Sequence, residues 1–173
     1  MTIRVRRAAV PGLLVVALGC GPSQTVDILL RGALVHDGTG ADPRIADIAV
    51  DDGTIVAIGA VAHLAAREEL DAAGRAIAPG FVDIHSHADL ILLADAGRRA
   101  RLLEAKIRQG VTTIVVGNCG LGAAPADEPA AGILAAVNAW MTPEGVDAGA
   151  LTTAEYLEQL ERRGVPLNVA TLT

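Results

Sequence analysis

Two histidines one residue apart, His85 and His87, stand at the carboxyl end of the apolar run Phe81-Val82-Asp83-Ile84. In a strand, residues i and i+2 point to the same side, so both imidazoles can converge on one ion. Imidazole suits zinc and its neighbours, and a catalytic ion needs protein ligands plus an open position for water. The pair therefore supplies half a coordination shell. The same spacing occurs on ordinary solvated strands, so it needs a further donor to mean chemistry.

That donor comes from the next apolar run. Val111-Thr112-Thr113-Ile114-Val115-Val116 leads straight into Gly117-Asn118-Cys119-Gly120. Active groups of parallel α/β folds lie at the carboxyl ends of strands, and neighbouring strands stand about 4.8 Å apart, so Cys119 could reach an ion held near the histidines. A lone cysteine is more often a small buried hydrophobe. This one sits in a loop, between glycines that permit a tight turn aiming the thiol into a pocket. A nucleophilic Cys119 is the other chemical reading, and it requires a nearby base. Asp83 alternates with His85 and His87, and Asp89 continues the series; either could orient an imidazole, with a solvated strand-end carboxylate as the plain alternative. His36 and His63 fall in surface contexts without a partner pattern and receive no role.

The elements that must position these groups follow from punctuation and periodicity. From Val26 to Ala78, short apolar segments alternate with the turn signals Asp37-Gly38-Thr39-Gly40, Asp51-Asp52-Gly53 and Ala73-Gly74. They predict a small antiparallel sheet with a hairpin around Asp52-Gly53, and a weaker helix over residues 62–70. After Pro79-Gly80 strand and helix alternate. A strand is expected from Phe81 to His85, and then a helix from Ala96 to Gln109, with Leu103 and Ile107 on its inner face and Gly110 closing it. A β-branched strand follows over Val111–Val116, buried on both faces. An excursion over 121–144 carries a short helix near Ala130–Trp140. A helix over Ala154–Arg163 is capped by Thr152 or Thr153 with Glu155, and a third parallel strand begins at Pro166. Successive units of this kind imply parallel strands with helical crossovers.

The amino terminus differs from the rest. Arg4, Arg6 and Arg7 precede an uncharged run from Ala8 to Gly19 that is shorter than the roughly twenty residues of a transmembrane helix. With Cys20 and a polar linker after it, residues 1–20 resemble a bacterial lipoprotein signal, and Cys20 would carry the lipid. A loose extension on a cytoplasmic protein is the alternative. The expected location is the bacterial envelope, with membrane contact through that anchor alone. Cys119 is then the remaining thiol, which one cysteine cannot turn into an internal disulfide. The formal net charge of -6 and the lack of clustered Lys and Arg argue against a nucleic-acid partner. With one Trp, one Tyr and one Phe, the core must be aliphatic.

Ala78-Pro79-Gly80-Phe81-Val82-Asp83-Ile84-His85-Ser86-His87-Ala88-Asp89-Leu90, Gln109-Gly110-Val111-Thr112-Thr113 and Val116-Gly117-Asn118-Cys119-Gly120 together resemble the amidohydrolase superfamily. More narrowly they resemble its N-acyl-D-amino-acid deacylase branch, which the Asn-Cys-Gly loop separates from members that use a carboxylated lysine. The resemblance runs from about Val26 onward. It implies an α/β fold, the start of a metal-dependent (β/α)8 TIM barrel over 79–173 preceded by a β-sandwich segment over 26–78, with 21–25 as linker. It implies one or two zinc ions held by His85, His87 and Cys119, and a small N-acyl amino acid as substrate, cleaved at its amide bond. Two further histidines and a catalytic aspartate of the family have no counterpart before Thr173. The chain is accordingly expected to be an amino-terminal portion of an enzyme, inactive by itself. Competing readings are a metallo-β-lactamase-like site, since His85-Ser86-His87-Ala88-Asp89 also fits His-x-His-x-Asp, and a non-catalytic lipid-anchored binding module.

Overall fold

The structure is a computed structural model that describes residues 24–59 and 61–173. The signal-type segment and Cys20 lie outside the described residues. The chain divides into two compact units, one ending at Ala78 and the other spanning Pro79–Thr173.

The first unit is one five-stranded sheet made of β1 (Thr25–Val35), β2 (Arg44–Asp51), β3 (Thr54–Gly59), β4 (Ala65–Asp71) and β5 (Ala76–Ile77). The β2–β3 hairpin turns at Asp52 and Gly53, whose positive φ angles of 47° and 68° match the right-handed twist of the flanking strands. Ile48 and Ala49 point to opposite faces and each joins a different apolar cluster, so both sides of the sheet are packed. A β-bulge interrupts β1 between Leu30 and Ala33. There Asp47 accepts from the Gly32 N–H at 2.8 Å and from Arg31 at 3.0 Å, so the N–H released from the ladder is not left unpaired.

Two expectations fail here. The sheet is mixed, because β4 and β5 both run parallel to β1. Residues 62–70 are not a helix; Ala65–Asp71 forms the edge strand β4. The segment Ala65-Ala66-Arg67-Glu68-Glu69-Leu70 is rich in helix formers. It has no apolar stripe to bury as a helix, however, and the open edge of β1 supplies hydrogen-bond partners for its backbone.

The second unit is a three-stranded parallel sheet in the order β6 (Phe81–Asp83), β7 (Val111–Val116), β8 (Asn168–Thr171). Helices α1 (Asp89–Leu93), α2 (Ala96–Arg108), α3 (Glu128–Val137) and α4 (Thr153–Arg163) fill the connections. Leu92, Leu103, Ile114, Val116, Tyr156 and Leu160 form the centre of its core. Three helices begin on side-chain caps: Asp95 for α2, Asp127 for α3, and a full capping box of Thr152 with Glu155 for α4. The buried Arg99 donates to the Ala94 carbonyl beyond α1 and to the Arg163 carbonyl at the end of α4, satisfying acceptors that helix ends leave open.

Several details differ from expectation. β6 stops at Asp83, because the Asp83 carboxylate turns back to accept the His85 N–H and draws the chain out of the ladder. The short helix α1 was not foreseen; five residues are too few to show a period. Leu103 is fully buried but Ile107 is 40% exposed, so the inner face of α2 is narrower than expected. β7 buries Ile114 and Val116, whereas Thr112 on the same strand is exposed. α3 starts earlier and ends earlier than expected: Asp127 and Pro129 fix its start, and at Asn138 the chain leaves the helix.

Candidate metal centre

The parallel register of β6 and β7 sets two loops side by side, one carrying His85 and His87 and the other Cys119. Cys119 Sγ lies 3.4 Å from His85 Nε2, and the two imidazole centroids are 5.2 Å apart in an edge-on arrangement. One donor atom from each of the three residues falls within 4.8 Å of the others. His85 and Cys119 are exposed and His87 is half-buried, so the cluster opens to solvent on one side.

Backbone conformation aims the thiol. Gly117 has φ 81° and Cys119 itself φ 59°, a left-handed value unusual for a residue with a side chain. At Gly117 any Cβ would stand 2.5 Å from the Leu172 carbonyl oxygen, so the close approach of the segment after β8 requires glycine. Asn118 Nδ2 donates to the carbonyls of Val115 at 2.9 Å and Ser86 at 3.3 Å, and the Ser86 N–H donates to Val115. These bonds tie the thiol loop to the histidine loop.

Asp89, 1% exposed, accepts the Gly117 N–H on Oδ1 at 2.7 Å, and its carbonyl accepts the hydroxyl of the buried Tyr156 at 2.9 Å. Burial pushes the Asp89 carboxyl above its ordinary range, with main-chain N–H groups and the charge of His87 opposing. Burial, reinforced by the Asp89 charge, drives the Tyr156 phenol well above its usual value. Asp83 does a different job from the one its spacing suggested. Its carboxylate pairs with Lys106 Nζ at 2.6 Å and accepts the His85 backbone N–H, so it braces the loop through the main chain. The Lys106 hydrogen bond holds Asp83 below the usual carboxylate range. His36 and His63 are exposed residues of the first unit.

Two imidazoles and a thiol with mutually close donor atoms can hold a soft or borderline divalent ion and leave a coordination position open. The roles of Asn118 and Tyr156 were missed by sequence reasoning. An asparagine between Gly117 and Cys119 was a signal for a turn, but nothing marked Tyr156.

The amidohydrolase family pattern matches residues 68–172, which covers all three donors. The chain belongs to the amidohydrolase family. Among characterised amidohydrolases it is similar to the N-acyl-D-glutamate deacylase of Alcaligenes xylosoxydans xylosoxydans, 39% identical over 149 residues, which are 86% of this chain and 28% of the relative. The D-aminoacylase of the same organism is 45% identical over 103 residues, 60% of this chain and 20% of the relative. Among solved structures, the N-acyl-D-glutamate deacylase from Bordetella bronchiseptica, complexed with zinc and a phosphonate inhibitor that mimics the reaction's tetrahedral intermediate, superposes with a TM-score of 0.71 at 38% identity. That match covers 87% of this chain and 30% of the other. A D-aminoacylase structure gives a TM-score of 0.70 at 36% identity, covering 86% of this chain and 29% of the other. This amidohydrolase chain therefore spans under a third of the length of those relatives. Its parallel βα units are the opening of the amidohydrolase (β/α)8 barrel, as the resemblance implied.

Proposed function

We propose that this chain supplies His85, His87 and Cys119 as zinc ligands to an enzyme that hydrolyses the amide bond of N-acyl-D-amino acids. The convergence of three donors within 4.8 Å carries the reading. Ligands about 2.0–2.3 Å from a tetrahedral ion stand about 3.3–3.6 Å from one another, and the Cys119 Sγ to His85 Nε2 separation of 3.4 Å fits that spacing. The named relatives support the substrate class. Bound zinc supplies a Lewis acid that activates water and polarises an amide carbonyl. The chain's own groups do the positioning: Asn118 and Asp89 hold the two loops together, Lys106 and Asp83 brace the turn before His85, and the exposure of His85 and Cys119 leaves the substrate side open.

The test is zinc retention after gel filtration. The purified chain should keep zinc, and His85→Ala, His87→Ala and Cys119→Ala should each lose most of it. A wild-type chain without zinc, or retention that is the same in all three variants, sinks the ligand assignment. Hydrolysis of N-acetyl-D-glutamate, N-acetyl-D-aspartate and N-acetyl-D-leucine against their L forms, by the protein as its gene encodes it, tests the substrate class; preference for the L forms refutes it.

The same 3.4 Å contact favours a second reading, Cys119 as a nucleophile with His85 as its base. Chelation separates the two: activity that survives a strong chelator and disappears on alkylation of Cys119 supports the nucleophile.

A further inference from the structure

From Pro129 onward α3 is apolar all round, yet none of its residues is buried. A helix that is apolar on every side belongs under cover. Its inner face is held by Asn138, the buried residue that ends it, whose side chain donates to the Leu121 carbonyl at 3.1 Å. Hydrogen bonds from the Asn138 N–H to the Leu134 carbonyl and from the Thr142 N–H to the Asn138 carbonyl carry the winding past Val137. Pro129, Ile133, Val137 and Trp140 follow one another at steps of four, four and three residues, so they share one outward stripe. Ile133 is 65% exposed, and Trp140, the chain's only tryptophan, is 77% exposed. No charged residue interrupts the sequence between Glu128 and Glu144. A contiguous exposed apolar patch of this kind marks an interaction surface.

The surroundings of the stripe select its partner. Residues 109–161 contain no Lys or Arg, so the stripe lacks the flanking cations that draw an apolar helix onto an anionic bilayer. Its two ends differ in charge. Asp127 and Glu128 make the start acidic, whereas at the far end Arg98 donates to the Glu144 carbonyl and stands 3.7 Å from the Glu144 carboxylate. Two copies related by a two-fold axis across the helix lay the acidic start of each stripe beside the Arg98 end of the other, and bury no charge between them. A parallel pair would oppose acid to acid. With Trp140 contributing about 150–250 Å², each stripe supplies on the order of 400–500 Å², and a pair buries about 800–1,000 Å², the lower end for a specific interface. We propose that the outer stripe of α3 is the interface of a weak homodimer, two copies of this chain packing α3 antiparallel on α3 with a Kd on the order of 10 μM.

Because Trp140 is the only tryptophan, its fluorescence reports on the stripe alone. Sedimentation velocity and tryptophan emission are measured on the 173-residue chain at about 1 and about 200 μM, concentrations that bracket the expected Kd. The sedimentation coefficient should rise from monomer to dimer, and the emission should move to the blue with it. Ile133→Asp places a carboxylate at the centre of the stripe; at so exposed a position it should leave the melting temperature unchanged, and the variant should stay monomeric with its emission red at both concentrations. Arg98→Glu, which removes the cation that the acidic end would meet, should weaken association about tenfold. A wild type that is monomeric at both concentrations overturns the proposal, as does association that Ile133→Asp leaves intact. Emission already blue in the dilute monomer assigns the cover to the chain's own residues and overturns it too. A blue shift of the dilute monomer on adding vesicles of phosphatidylcholine and phosphatidylglycerol assigns the stripe to a bilayer instead.

Discussion

Asn118 reaches across from the thiol loop to donate to the Ser86 carbonyl, the backbone group that separates His85 from His87. With its second bond, to Val115, this 7% exposed side chain fixes the distance between the two halves of the donor set.

Asn118→Ala should therefore act on the metal as well as on stability. The Ser86 carbonyl loses the Asn118 donor, while the Val115 carbonyl keeps the Ser86 N–H, at a cost of about 1–3 kcal/mol. Zinc affinity, read by chelator competition, should drop at least as much as it does for any exposed control substitution on α2. A stability loss with full zinc affinity would show that the loops hold their spacing without this side chain.

Gly117→Ala combines a left-handed φ of 81° with a Cβ placed 2.5 Å from the Leu172 carbonyl oxygen. The segment after β8 must move or the turn must flatten, at a cost of about 1–3 kcal/mol. Thermal unfolding should fall by roughly 4–8 °C per kcal/mol for a unit of this size. Gly132→Ala, within α3 and with nothing near the added methyl, is the control and should be neutral or stabilising.

Tyr156→Phe removes the hydroxyl that serves the Asp89 carbonyl while keeping the ring in the core. The expected loss is about 1–2 kcal/mol, measured by urea denaturation, with zinc affinity little changed because the carboxylate bond to Gly117 is untouched. A large loss of zinc affinity would assign Tyr156 a part in the site.

In the first unit, the Gly32 N–H, and after it Arg31, hold the Asp47 carboxyl below its ordinary range. A carboxylate with a lowered folded-state pKa contributes stability that is fully present above its unfolded value, roughly 4, and is lost as pH falls through the lowered value. Asp47→Asn keeps an oxygen for Gly32 but removes the charge. Its melting temperature should lie below the wild type's near pH 7, and the gap should close as pH falls below 4. A gap that does not depend on pH would mean that packing at the bulge, and not the charge, is what Asp47 contributes.

The proximity of His85, His87 and Cys119 was legible because strand periodicity and the rule placing active groups at strand carboxyl ends are local signals that survive in one sequence. The capping box of Thr152 and Glu155 was legible for the same reason. What sequence reading missed was set by tertiary context. Residues 62–70 read as a weak helix, and Ala65–Asp71 becomes a strand because β1 offers it an edge. Asp83 sits in register with the histidines, yet Lys106, a full helix away along the chain, claims its carboxylate. Tyr156 meets Asp89 across 67 residues, a contact no pattern in either segment announces.

The φ of 59° at Cys119 bears on which donor chemistries this position could ever host. Asparagine, aspartate and histidine tolerate that backbone region best among residues with side chains, while β-branched residues are close to forbidden there. An exchange of sulfur for a carboxylate oxygen or an imidazole is therefore conformationally open, whereas threonine is closed off however well its hydroxyl might suit an ion. Cys119→Asp would place a harder oxygen donor on this loop without a change of its backbone conformation.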